Sequence, residues 1–167
     1  ALGDHDALTV RALVVEDTAV VTIDVIGVDA DFSARARARI SLPDLAITIA
    51  ATHTHGGPVS MLGRLFAEAD PTFIHRIEDA VVQAVDRAIT DRKPARLLGG
   101  VGLEPGFAHN RRRSDGPVDA GIPVLRFESA QGSTIAVFVS YACHPVVLGA
   151  DNLNWTSDYP HFVREKI

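Results

Sequence analysis

Leu45 to Ala51 is an apolar run interrupted only by Thr48, and it leads directly into Thr52-His53-Thr54-His55-Gly56-Gly57-Pro58. An unbroken apolar stretch of this length, closed by turn residues, predicts a strand covered on both faces. Gly56, Gly57 and Pro58 stop the strand and turn the chain sharply. Residues i and i+2 of extended backbone point the same way. His53 and His55 are therefore expected to project together from the carboxyl end of the strand, where ligands of open α/β sheets bind. Two imidazoles do not complete a catalytic zinc site, which takes three protein ligands and leaves a fourth position open. A third ligand has to come from elsewhere in the chain.

The remaining segments predict a mixed α/β fold, with strand hairpins and packed helices in one unit spanning 1–167. Leu8–Val15 and Ala19–Ile26 are β-rich runs joined by Glu16-Asp17-Thr18, a hairpin pattern. Asp29–Ile40, rich in Ala and Arg, reads as a short helix ended by Pro43-Asp44. Asp70-Pro71 opens an amphipathic helix with Ile74, Ile77, Val81, Val85 and Ile89 at helical spacing, running to about Arg92. Arg96–Leu103 reads as a strand, 104–120 as a long loop, and Pro123–Glu128 with Thr134–Tyr141 as a second hairpin. That hairpin delivers Cys143-His144-Pro145, and a loop then leads through Thr156-Ser157-Asp158-Tyr159-Pro160 into a last helix.

His144 follows a β-run and precedes a proline, so it is the local candidate for a third ligand; a capped strand end is the alternative. Cys143 is the sole cysteine, so no intrachain disulfide is possible, and a buried inert thiol is the reading for it. Asp158 reads as a helix N-cap, with orientation of a metal-bound histidine as the alternative. Asp24 is either a carboxylate supporting the site or a polar strand end. His5, His75, His109 and His161 read as structural or exposed. Arg111 lies in a run of three arginines, where a solvated loop competes with an arginine turned toward a substrate carbonyl, hydroxyl or carboxylate.

Net charge is −5, against a general nucleic-acid binder, whose phosphate contacts need a basic face. No apolar stretch approaches the ~20 residues that span a bilayer. The compartment stays open between secreted and cytoplasmic, and the protein is expected to be soluble. Ala1 without a methionine and a helix just opening at Glu165-Lys166-Ile167 give the expectation of a piece of a longer protein.

The segment "ATHTHGGP" (51–58) resembles the Thr-His-Thr-His-Ser-Gly-Pro signature of the neutral, non-lysosomal ceramidases. "HDALTVRALVVED" (5–17) with "VVTIDVIGV" (20–28) is similar to that family's opening hairpin. "AHNRR" (108–112) resembles its Asn-Arg-Ser motif. "VSYACHPVVLG" (139–149) and "TSDYP" (156–160) are similar to its second histidine segment and the Ser-Asp that follows. Gly56 and Arg112 stand where the family has serine. The resemblance implies the amino-terminal portion of a zinc-dependent amidase that cleaves the N-acyl bond of ceramide or a related lipid amide. It implies His53 and His144 as Zn2+ ligands, His55 as the catalytic imidazole, and Arg111 with Asn110 facing the substrate. It also implies that a glutamate and a tyrosine from a missing carboxyl-terminal part of the same protein complete the metal site. Two further readings compete: a non-catalytic or incomplete metal-binding module of the same fold, and an amidohydrolase-type barrel, which also uses a His-x-His at a strand end.

Overall fold

Val10, Ala12 and Val14 recur at every second position of the first β-rich run and pack on the core, as Ala19, Val21 and Ile23 do in the second. In the computed structural model, which describes residues 1–42, 46–61, 63–64 and 68–167, these become β1 (Val10–Val15) and β2 (Thr18–Ile23). They pair antiparallel with Val10 opposite Ile23 and Val14 opposite Ala19, which gathers the apolar members on one face. Asp29 caps α1 (Ala30–Ala38) through its side chain and the amide of Phe32 at 2.7 Å. The chain then returns as β3 (Ala46–Ala51), parallel to β2, in the register Ala19–Ile47, Val21–Ile49 and Ile23–Ala51. The Pro43-Asp44 helix stop and the first residue of the expected strand, Leu45, lie outside the described residues.

Asp70 accepts from the Thr72 amide at 2.8 Å, Pro71 occupies the first turn, and α2 runs over Pro71–Thr90. Its apolar stripe of Ile74, Ile77, Val81 and Val85 is buried with Val21, Ile23, Val25, Phe32 and Ala36 in one core. Inside that helix Glu78, 2% exposed, is held by Arg35 of α1 at 2.6 Å. Contrary to the expectation of a strand covered on both faces, β3 packs Ile47, Ile49 and Ala51 on the core. Ala46, Thr48 and Ala50 on its other face are exposed. The apolar run arises because alanine and threonine occupy the open face, not because both faces are covered.

The chain divides into two compact units. The first comprises Ala1–Arg92 with Pro145–Lys166, and the second Lys93–His144. In the second, β4 (Arg96–Leu103), β5 (Gly121–Glu128) and β6 (Thr134–Val139) form an antiparallel meander in that order. Its second turn is closed by Ser129 and Ser133, with Gly132 at φ 83°. Glu128, largely buried, accepts from Arg96 at 2.6 Å and pairs with Arg126 at 2.9 Å. The hydrogen bond from Arg96 holds its carboxyl below the ordinary value, against the opposing effect of burial. In the first unit, α3 (Tyr159–Lys166) closes the described fold. Among the described residues the two three-stranded sheets give a mixed α/β architecture without the β/α alternation of a barrel.

Candidate metal centre

Strand β3 ends at Ala51, before either histidine. The backbone is still tied to its neighbour for two residues, through Thr52 N to Ile23 O at 2.9 Å and His53 N to Val25 O at 3.1 Å. His53 then adopts φ 68°, a left-handed conformation that costs a non-glycine residue free energy but that His tolerates better than most. The two imidazoles thus meet through a turn rather than through strand alternation. Their ring centroids lie 5.1 Å apart at 89°.

His53 Nδ1 lies 2.6 Å from the carbonyl oxygen of Ile26. A carbonyl only accepts, so the proton sits on Nδ1 and the ring lone pair on Nε2, the arrangement that metal-ligating histidines use. One imidazole nitrogen from each of His53, His55 and His144 lies within 4.8 Å of the other two. Three imidazoles at such spacing could hold a transition-metal ion.

The turn beneath these rings is fixed by buried groups. Thr54, fully buried, donates its hydroxyl to Thr156 O at 2.8 Å and accepts from Gly56 N at 3.0 Å. Thr156 N in turn donates to Gly56 O at 2.8 Å. A Cβ on Gly56 would sit 2.4 Å from Thr156 Cγ2 and 2.7 Å from Thr156 O, so glycine is needed for the two backbones to approach. A cavity of about 310 Å³ opens beside His55, lined also by Gly56, Asn152, Leu153 and Trp155.

Three carboxylates support the same unit, and the sequence pointed to the roles of none of them fully. Asp6, largely buried, accepts from Thr156 Oγ1, from Ser157 N at 2.8 Å and from Ser157 Oγ at 2.9 Å, with His5 Nδ1 at 3.1 Å. Burial pushes the Asp6 carboxyl up, but the hydrogen bonds from Ser157, Thr156 and His5 outweigh it and hold the group below its ordinary value. Asp24, 1% exposed, takes both guanidinium ends of Arg164 at 2.7 and 2.5 Å, along with Thr9 N, Thr9 Oγ1 and Thr52 Oγ1. Asp158 receives three backbone amides, from Val147, Leu148 and Tyr159. Asp24 and Arg164 are 140 residues apart and Asp6 and Thr156 are 150 apart, so no local pattern could have announced either contact.

The loop carrying Asn110 and Arg111 belongs to the second unit. Arg111 is exposed there. The Asn110 carbonyl accepts from Arg112 N and Arg113 N at 3.1 Å each, and its amide donates to Pro117 O at 3.1 Å, so the side chain shapes its own loop. Cys143 is half-buried, with Sγ 3.9 Å from His144 O.

No family model matches the chain, and no curated protein matches it. Solved structures of ceramidases do. A ceramidase complexed with C2 superposes with a TM-score of 0.73 at 22% identity, over 84% of this chain and 25% of the other. The neutral ceramidase of Pseudomonas aeruginosa gives a TM-score of 0.73 at 22% identity, over 84% of this chain and 26% of the other. This chain has the fold of part of a ceramidase. It spans about a quarter of the length of the ceramidases it matches. At this identity the likeness concerns the backbone; the side chains have to be argued from their own geometry. No helix among the described residues is long and apolar enough to cross a membrane.

Proposed function

We propose that this chain is the metal-binding portion of a ceramidase-like zinc hydrolase acting on the N-acyl amide bond of a lipid amide or another small N-acyl substrate. The observation that supports it is the grouping of His53, His55 and His144 within 4.8 Å, in a chain whose fold is that of part of a ceramidase. His53 and His144 are the proposed Zn2+ ligands. The carbonyl of Ile26 supports that role for His53 by fixing its tautomer. When bound, zinc supplies Lewis acidity toward an amide carbonyl. His55, ring to ring with His53, holds or passes a proton beside the scissile bond. Arg111 and Asn110 are the proposed contacts to the substrate's polar atoms, and a further part of a longer protein is proposed to complete the ligand set.

The same grouping favours a second reading, in which His55 is the third ligand rather than a proton carrier. Metal content by mass spectrometry, on protein purified without a metal-affinity tag, tests both. Near-stoichiometric zinc that is lost in His53→Ala and His144→Ala is the expected result. Retention of zinc in His55→Ala with loss of N-acyl amide hydrolysis by the full-length protein assigns the proton role, whereas loss of zinc assigns ligation. Zinc absent from the wild type, or unaffected by His53→Ala and His144→Ala, would overturn the metal reading. Zinc bound with no hydrolysis of any N-acyl amide by the full-length protein would leave a non-catalytic module.

A further inference from the structure

The carboxylate of Asp158 is 3% exposed and is not used as the cap of the helix that follows it alone. Its Oδ1 accepts from Tyr159 N at 2.8 Å and from Val147 N at 3.0 Å, and its Oδ2 accepts from Leu148 N at 3.0 Å. Val147 and Leu148 are the central residues of a turn closed by Gly149 N to Val146 O at 3.1 Å, with Gly149 at φ 71°. Successive amides of a turn aimed one way form a concavity that binds an anion. Here the anion is supplied by the chain itself. The turn begins two residues after His144, and between them Pro145 is buried and its φ is fixed by its ring.

Asp158 is itself held rigidly. It adopts φ 63°, which aspartate tolerates better than most residues but which still has to be enforced by its surroundings. Its amide donates to Thr156 Oγ1 at 2.9 Å, and that hydroxyl bonds in turn to buried Asp6. Ser157 N and Oγ bond to Asp6 as well. A carboxylate fixed in this way transmits a fixed position to the amides it binds.

We propose that Asp158 is a positioning residue for His144: by gripping the amides of Val147 and Leu148 it sets the backbone from which the His144 imidazole is presented. The consequence for metal affinity rests on the zinc reading above; the consequence for the His144 ring does not. Asp158→Asn is the informative change, because it keeps size and tolerance of positive φ. It keeps Oδ1 as an acceptor, but it turns an amide NH2 against Leu148 N–H. Zinc affinity, measured by competition with a chromophoric chelator, is expected to fall roughly 10–100-fold, as for other residues that orient a metal ligand. In the metal-free protein the His144 ring resonances are expected to shift or broaden, and hydrogen exchange at Val147 and Leu148 to accelerate. Asp6→Asn is the control. It loosens the 156–157 segment without changing the carboxylate that receives the 147 and 148 amides, so it should lower stability with a smaller effect on the His144 ring. His144 resonances unchanged in Asp158→Asn would overturn the proposal. Resonances that shift in Asp158→Asn when the wild type takes up no zinc would sustain it while removing the zinc reading. Shifted resonances with unchanged zinc affinity would overturn its consequence for the metal.

Discussion

Replacing Arg164 by methionine should destabilise the protein more than replacing its partner Asp24 by asparagine, although both changes delete the same ion pair. Asp24 is 1% exposed, whereas the Arg164 side chain keeps 20% of its surface in water. Without Arg164, the carboxylate stays buried and loses its two shortest contacts, at 2.7 and 2.5 Å. Breaking a buried pair from one side costs about 3–5 kcal/mol. Thr9 N and Thr9 Oγ1, both at 2.8 Å, with Thr52 Oγ1 at 3.2 Å, still solvate the anion, which places the cost at the lower end. A loss of about 3 kcal/mol corresponds to a fall in Tm of roughly 6–12 °C for a chain of this size. In Asp24→Asn the guanidinium can turn to water and the amide oxygen still accepts, so the loss should be about 1–2 kcal/mol. The double variant should be nearer to Asp24→Asn than to the sum of the two single changes, because the unpaired buried charge is gone. Urea unfolding of the three variants, compared by midpoint at constant slope, gives the ranking. Asp24→Asn as costly as Arg164→Met, or additive behaviour in the double variant, would refute the reasoning.

Two other consequences follow from the segment 154–158. Because hydrogen bonding holds the folded Asp6 carboxyl below its ordinary 3.8, its contribution to stability is full above that value and is lost as pH falls through the lower folded value. The wild type should therefore lose stability on acidification below about pH 4, and Asp6→Asn, less stable at neutral pH, should show a shallower acid limb in a pH series of urea midpoints. Gly56→Ala should cost about 1–3 kcal/mol through overpacking. Adding Thr156→Ser, which removes Cγ2 but keeps the hydroxyl to Asp6, should recover only part of that, since the added Cβ would still press on Thr156 O at 2.7 Å. Full recovery in the double variant would mean that the backbone moves more easily than the geometry implies.

The elements whose causes are local were legible in the sequence. Asp70-Pro71 fixed the start of α2 because a cap and a first-turn proline act within three residues. Arg96–Leu103 was legible as a strand despite three glycines, although its pairing along its whole length with β5 is not a local cause. What the sequence misjudged was the reason for the histidine pair. Alternation along a strand would put His53 and His55 on one side, but the strand stops at Ala51 and His53 turns left-handed. The expectation of neighbouring rings held while its mechanism did not, since the controlling acceptor is the carbonyl of Ile26, 27 residues earlier. Asp24 was singled out with two roles open, and the structure gives it the second half of an ion pair from α3 that no spacing announces.

These long-range contacts bear on how a metal centre could be made precise in this fold. Both His53 and His144 lie beyond the ends of their strands, His53 in left-handed backbone and His144 just before the turn at Val146–Gly149. A ligand on a loose turn would have to give up conformational freedom on binding, which weakens affinity. In this chain the restraint comes from elsewhere. Ile26 O holds the ring of His53, Thr54 joins its turn to Thr156, Asp6 fixes 156–157, and Asp158 receives the turn after His144. Three of these four restraints pass through Thr156-Ser157-Asp158. That tripeptide contributes no imidazole, yet changes within it should loosen the surroundings of both histidines together, whereas the Ile26 carbonyl acts on His53 alone.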